Sequence, residues 1–213
     1  MNFIPDLPVL LAFSVAGLVL AITPGPDMTL FLGRALSEGR AAAIAVVTGT
    51  MTGVVVHTVL VAFGVSALVV ASPTAFAILK TGGAAYLFWL AVQALRHGAT
   101  FRLNETAPRR RPLLASWSHG LAVNLLNPKI IIFFMTFLPQ FVSADDPDIR
   151  GKLIFLGLLF NAISFPILIG MIFTADGLSS WLRGNRRIMR SLDYIFASVF
   201  SVFAVRILLT EGK

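Results

Sequence analysis

Residues 22 to 28 read Ile22-Thr23-Pro24-Gly25-Pro26-Asp27-Met28. They close an apolar run with 20 uncharged residues between Asp6 and Asp27, about the length a helix needs to cross a bilayer. Two prolines, a glycine and a carboxylate at that point interrupt the helix and leave a charge at the interruption. Proline has no N–H, so Pro24 and Pro26 take away the helical donors of the Leu20 and Ile22 carbonyls. Such a break survives in hydrocarbon only where protein or water satisfies the freed groups. A second break of the same kind stands in the other half of the chain. In Asn127-Pro128-Lys129, Pro128 frees the Asn124 carbonyl, and Lys129 carries the opposite charge.

The composition fits a membrane protein. Of 213 residues, 57% are hydrophobic and 13% charged, against roughly 25% charged in a soluble globule. Mean hydropathy is +0.86. There is no cysteine, which excludes disulfides, thiolate-ligated zinc and iron–sulfur clusters. The net charge of +7 sits in short links between apolar segments, as in the inner loops of membrane proteins, and does not point to nucleic acid. No basic region precedes the first apolar run and no small-residue cleavage site follows it, so a removable signal peptide is not expected.

Six spans are expected. The first lies between Asp6 and Asp27, and the others run from about Ala41 to Ala71, Ala75 to Leu95, Leu113 to Val142, Leu153 to Ala175 and Ile188 to Leu209. The fold class is then an all-α integral membrane protein. Its one membrane domain comprises a first three-helix half (1–97), a basic cytoplasmic link (98–112) and a second three-helix half (113–213). An odd number of helices per half gives the halves inverted topology, with interrupted helices 1 and 4 in corresponding places. Matching broken helices in two halves point to a transport site. Lys and Arg in the links divide five against eleven, with Lys129 on neither side. The richer side is expected to be cytoplasmic, which puts the N- and C-termini outside.

A charge at bilayer depth must face the protein interior and find a partner. Asp27 and Lys129 are candidates for each other, or each takes one end of a zwitterionic substrate. The alternatives are an Asp–Lys pair that only fixes packing, or an Asp27 near the inner interface, where charge is cheap. Helix N-termini that restart after each break present free N–H groups suited to a substrate carboxylate. His57, mid-span, is either a proton carrier or a packing histidine. Asn127 stands beside the second break, one turn from Asn124. His119, Asn124 and Asn161 are secondary candidates. Gly49 and Gly53 have the spacing of a close helix contact, as does Gly82-Gly83-Ala84-Ala85. Arg34, Glu38 and Arg40 read as an inner turn, and the 18 Phe residues as lipid- or core-facing bulk. No His-Glu-x-x-His, Gly-x-Ser-x-Gly or phosphate loop is found, so neither an enzyme, a metal site nor a cofactor is expected.

The stretches ITPGPDM, GTMTGVVVH, LKTGGAAYLFWLAVQALR and GLAVNLLNPKIIIFFMTFLPQF together resemble the LysE/RhtB amino-acid exporter family over nearly the whole chain. The resemblance implies a bacterial inner-membrane secondary exporter of amino acids or close derivatives, driven by the proton gradient. Its motif positions fall on Pro24, Gly25, Pro26 and Asp27, then on Asn127, Pro128 and Lys129. The lack of further buried acidic residues favours neutral substrates of the threonine, homoserine or leucine type. The expected partners are the amino acid, protons and the lipid bilayer. Small-residue faces permit a homodimer. The competing reading is a passive small-solute channel or a non-transporting scaffold.

Overall fold

The computed structural model describes residues 3–72, 74–79, 81, 82, 85, 88, 89, 92, 111–143, 145–175, 177 and 185–210. Among these there are helices and turns but no strand. In chain order the helices are α1 (Leu7–Ile22), α2 (Pro26–Ser37), α3 (Arg40–Ala71), α4 (Leu113–Leu125), α5 (Pro128–Ile132), α6 (Ile149–Phe173) and α7 (Arg186–Thr210). A π-helical turn (Phe133–Phe137) and a 3-10 turn (Leu138–Phe141) extend α5.

α3 and α6 are each long and apolar enough to cross a membrane. Two bent pairs, α1 with α2 at 52° and α4 with the segment Pro128–Phe141 at 54°, each have the length and composition of one interrupted crossing. α1 stops at Ile22 after 16 residues, roughly 24 Å at 1.5 Å per residue, short of the hydrocarbon core. α2 resumes beyond the bend, so Asp27 lies in the first turn of a second helix. Of the third expected span only scattered residues are described. Lys80, Gly83, Ala84, Arg96, Arg102, Arg109, Arg110, Arg183 and Lys213 lie outside the described residues.

Local sequence explains both bends. At the first, Thr23 ends α1, its N–H bonding to the Val19 carbonyl at 3.0 Å and its hydroxyl donating to the same oxygen at 2.6 Å. Pro26 then opens α2 at the position where a missing N–H is harmless, and Asp27 places a negative charge in the first turn. At the second, Leu125 ends α4 and Pro128 opens α5. Further along, Pro139 cannot donate to the Met135 carbonyl, and the helix there widens into the π turn and then tightens into the 3-10 turn.

Contacts fix the relative directions of the elements. Phe3 stacks near Phe155, Gly17 meets Phe160, Arg150 lies over the Phe63 ring, and Arg40 donates to the Phe173 carbonyl. One end of the bundle thus gathers Phe3, the start of α6 and the distal part of α3. The other gathers the α2–α3 turn, the start of α4 and the end of α6. Gly39, at φ +93°, makes that turn in a conformation that favours glycine. Leu7, Leu11, Val15 and Leu18 on α1, and Val59, Leu60 and Phe63 on α3, point outward, as lipid-facing residues do.

Two apolar cores fill the interior. One packs Phe13, Phe133, Phe134, Phe137 and Phe160 between α1, the π turn and α6, with Phe133 and Phe137 ring centroids 4.8 Å apart. The other joins Met28, Phe31 and Leu32 of α2 to Val46, Val47, Leu168 and Ile172. Part of the Phe content expected as bulk is thus one continuous aromatic seam. Between the cores α3 and α4 run side by side at backbone contact. A Cβ on Gly49 would strike the Trp117 carbonyl, one on Gly53 the Asn124 side chain, and one on Gly120 the Val46 carbonyl. The small-residue spacing of Gly49 and Gly53 does mark a close helix contact.

At the Phe3 end, Asp146 accepts from Lys152 at 2.5 Å and from the Asp148 N–H at 3.0 Å. Burial works against its charge, but the Lys152 and Asp148 hydrogen bonds outweigh it and hold the carboxyl below its ordinary value.

Two outcomes follow for the purified protein in detergent. Gly120→Ala should lower stability by roughly 2 kcal/mol through overpacking against the Val46 backbone, whereas Gly64→Ala, with open space around it, should shift it by less than about 1 kcal/mol. Thermal unfolding of both variants checks this. The Asp146 contribution, from a lowered carboxyl, should be fully present above the unfolded carboxylate value near pH 4 and fade only below it. Comparing wild type with Asp146→Asn between pH 3 and pH 7 should show a stability difference that is constant at neutral pH and vanishes in acid.

Candidate functional site

The two breaks meet in the middle of the fold, and side chains of the second break bond to groups of the first. Asn127, buried at the second break, donates from Nδ2 to Oδ2 of Asp27 at 2.5 Å. Its own Oδ1 accepts the Lys129 backbone N–H at 3.1 Å, capping α5. Lys129 reaches the opposite way, its Nζ donating to the Thr23 carbonyl at 2.9 Å. Had the helix run on unbroken, the Asp27 N–H would have served that carbonyl. Gly25 leaves room for the ammonium, since a Cβ there would stand 3.1 Å from Nζ.

Asp27 and Lys129 are therefore neighbours without forming an ion pair. Each is held by a polar group of the facing break, and both line one cavity. Its water-accessible volume is about 40 Å³, room for a few water molecules. It lies where the two apolar cores adjoin, with Leu20, Val54, Ile130 and Phe160 from one side and Met28, Phe31 and Leu168 from the other. Its polar lining comprises Thr23, Asp27, Thr50, Asn124, Lys129 and Ser164. Oδ1 of Asp27, the hydroxyls of Thr50 and Ser164, and both amide atoms of Asn124 are buried without a hydrogen-bond partner. Asn124 lies beside the Asp27 carboxylate yet closes no bond of normal geometry with it. Buried polar groups are ordinarily paired, so this concentration of free ones in one cavity suits a polar ligand.

The remaining expected residues fall as follows. Pro24, Pro26 and Pro128 shape the breaks, and of the ITPGPDM stretch Thr23, Gly25, Asp27 and Met28 line the cavity. His57 is buried outside the lining. It stacks on Phe134, and its Nε2 is 3.4 Å from the Asn124 carbonyl, which also accepts the Asn127 N–H at 3.0 Å. Asn161 donates to the Met51 carbonyl at 3.2 Å and ties α6 to α3. His119 is away from the cavity. Arg34 donates to Glu38 and, at 3.1 Å, to Nδ1 of His119, which must be the unprotonated nitrogen because guanidinium only donates. Glu38 also accepts the Arg111 N–H at 3.3 Å. What reads as an inner turn is thus a latch joining α2 to the start of α4. Thr50 and Ser164 escaped sequence reasoning, although Thr50 stands between Gly49 and Gly53, where α3 is forced against its neighbours. No group of three or more metal-ligating side chains occurs among the described residues.

Asn127→Ala should free the Asp27 carboxylate and uncap α5 together, lowering stability by about 1–3 kcal/mol. Asn127→Asp, which sets a second negative charge against Asp27, should cost more. Thermal unfolding of the two variants in detergent checks the order.

Comparison with known proteins completes the description. A family model described as LysE type translocator matches residues 18–211. A homoserine/homoserine lactone efflux protein of Salmonella typhimurium is 31% identical over 192 residues, covering 89% of this chain and 90% of the relative. An uncharacterized membrane protein of Vibrio cholerae is 31% identical over 195 residues, covering 92% and 94%. A leucine efflux protein of Klebsiella pneumoniae is 24% identical over 197 residues, covering 92% and 93%. No solved structure matches the chain.

Proposed function

This chain belongs to the LysE type translocator family, and from that premise we propose that it is a proton-driven secondary exporter of small neutral amino acids or close derivatives. The observation that carries the reading is the shared cavity of the two breaks, where a carboxylate with one free oxygen and an ammonium stand a short way apart. That pair matches the two ends of an α-amino acid. The substrate ammonium binds Oδ1 of Asp27. The substrate carboxylate draws Lys129 from the Thr23 carbonyl. Names of relatives that export homoserine, its lactone or leucine support a neutral substrate.

Coupling needs a group that holds either a proton or the substrate ammonium, and Asp27 is that group. A proton arriving from outside neutralises the carboxylate and releases the substrate; loss of the proton to the cytoplasm restores the charge for the next one. His57, one hydrogen bond from the Asn124 carbonyl, is the second candidate for the proton path. The six-span plan, with inverted halves 1–97 and 113–213 around a basic cytoplasmic link, goes with this mechanism, and the near-equal bends of 52° and 54° support it. The protein would lie in the bacterial inner membrane with both termini outside. Rocking of the halves around the cavity opens it to each face in turn.

Vesicles loaded with amino acids and given an imposed pH gradient test this. Solute flux and internal pH are followed together. Wild type should move both; a channel would pass solute without proton counter-movement, and a scaffold would pass neither. Asp27→Asn, present in the membrane in normal amount, should lose gradient-driven export by about 100-fold or more, in line with removal of an essential proton-transfer group. Undiminished export by that variant would remove Asp27 from the mechanism.

A further inference from the structure

We propose that Thr50 and Ser164 form the side-chain subsite of the cavity and select substrates whose side chain bears an oxygen over those of the same shape that lack one. The inference rests on the exporter reading above and adds to it the residues that choose among amino acids.

A serine or threonine in a helix, with no water at hand, usually returns its hydroxyl to the carbonyl three or four residues earlier. This chain follows that habit closely. Thr48 donates to Ala45, Thr52 to Thr48, Thr58 to Val54 and Ser66 to Ala62, all on α3. Thr50, on the same helix, does not, and neither does Ser164 on α6. Both are almost fully buried, at 3% and 1% exposure, and both line the cavity.

Their relative height is set by how α3 and α6 cross. Thr58 packs on Gly157, and Asn161 donates to the Met51 carbonyl. The two helices run antiparallel in that register, which puts Thr50 level with Ser164. The cavity wall near them is apolar, with Phe31, Met51 and Leu168. Two hydroxyls kept from their usual partners, in an otherwise greasy wall, supply a donor and acceptors for one oxygen on a short side chain. Asp27 and Lys129, in the same lining, take the invariant ends of the substrate. An aliphatic side chain of equal volume would fit the wall and leave both hydroxyls unpaired, and a site of that kind rejects the analogue lacking the polar group.

The experiment compares two isosteric pairs in proton-gradient vesicles, threonine with valine and homoserine with norvaline. Wild type should export the hydroxylated member of each pair about tenfold faster or more. Thr50→Val with Ser164→Ala keeps the volumes and removes both hydroxyls; it should bring each ratio to within about twofold of unity by raising the aliphatic partner and slowing the hydroxylated one. A second measurement does not need coupling: thermal stabilisation of wild type in detergent should be larger with homoserine than with norvaline, and equal for the two single variants combined. Equal export of both members by wild type, or a preference unchanged in the double variant, would overturn the subsite. Export of none of the four by wild type, together with no thermal stabilisation, would instead overturn the exporter reading, and the subsite with it.

Discussion

Breaking a membrane helix exposes backbone groups that lipid cannot satisfy, and here the second break supplies the side chains that serve both. Lys129 caps the Thr23 carbonyl across the first break, while Asn127 caps both α5 and the Asp27 carboxylate across the second. Both donors come from the second interruption: Asn127 steadies the Asp27 carboxylate and Lys129 the Thr23 carbonyl of the first. Neither bend is stable in hydrocarbon without its partner, because the unpaired groups would each cost several kcal/mol there. The two charges are thus retained at depth by hydrogen bonds, not by direct ion pairing, and each keeps bonding capacity in reserve.

The rest of the architecture keeps these two bends opposed. Glycines let α3 and α4 run at backbone contact, which places Asn124 and Thr50 beside the breaks. The aromatic seam anchors α5 and its π turn against α1 and α6. Arg34, Glu38 and His119 tie the far end of α2 to α4. The cavity is left where the two apolar cores adjoin, and its free polar atoms are the groups that this packing isolates from one another. A substrate would enter an arrangement whose costs are already met by the fold.

Much of this was legible in the residues. Pro-Gly-Pro-Asp and Asn-Pro-Lys announce two breaks because proline removes known donors, and an isolated charge of each sign must find an interior. The details that escaped depend on three dimensions. Nothing in the local pattern says that Lys129 chooses a carbonyl over a carboxylate, since that depends on the angle of the bend. Nor does the pattern tell which threonine of α3 is denied its i−4 carbonyl; Thr48, Thr50 and Thr52 look alike until α6 and α4 are packed against them. His119 drew attention as a titratable group near a break, but its helix face turns it to Arg34. Apolar counting also cannot see that a helix resumes after the bend at Pro26.

The absence of cysteine from the sequence makes the central claim directly measurable. Paired cysteines introduced at Asp27 and Asn127, in membranes from cells producing the variant, can be offered a short bis-methanethiosulfonate linker. The account predicts rapid intramolecular cross-linking at this pair, slower at Asp27 with a cysteine at Asp146 by about tenfold or more, the loss expected when two sites cannot be spanned. Labelling of the two cysteines from opposite faces of the membrane, with no cross-link between them, would contradict it.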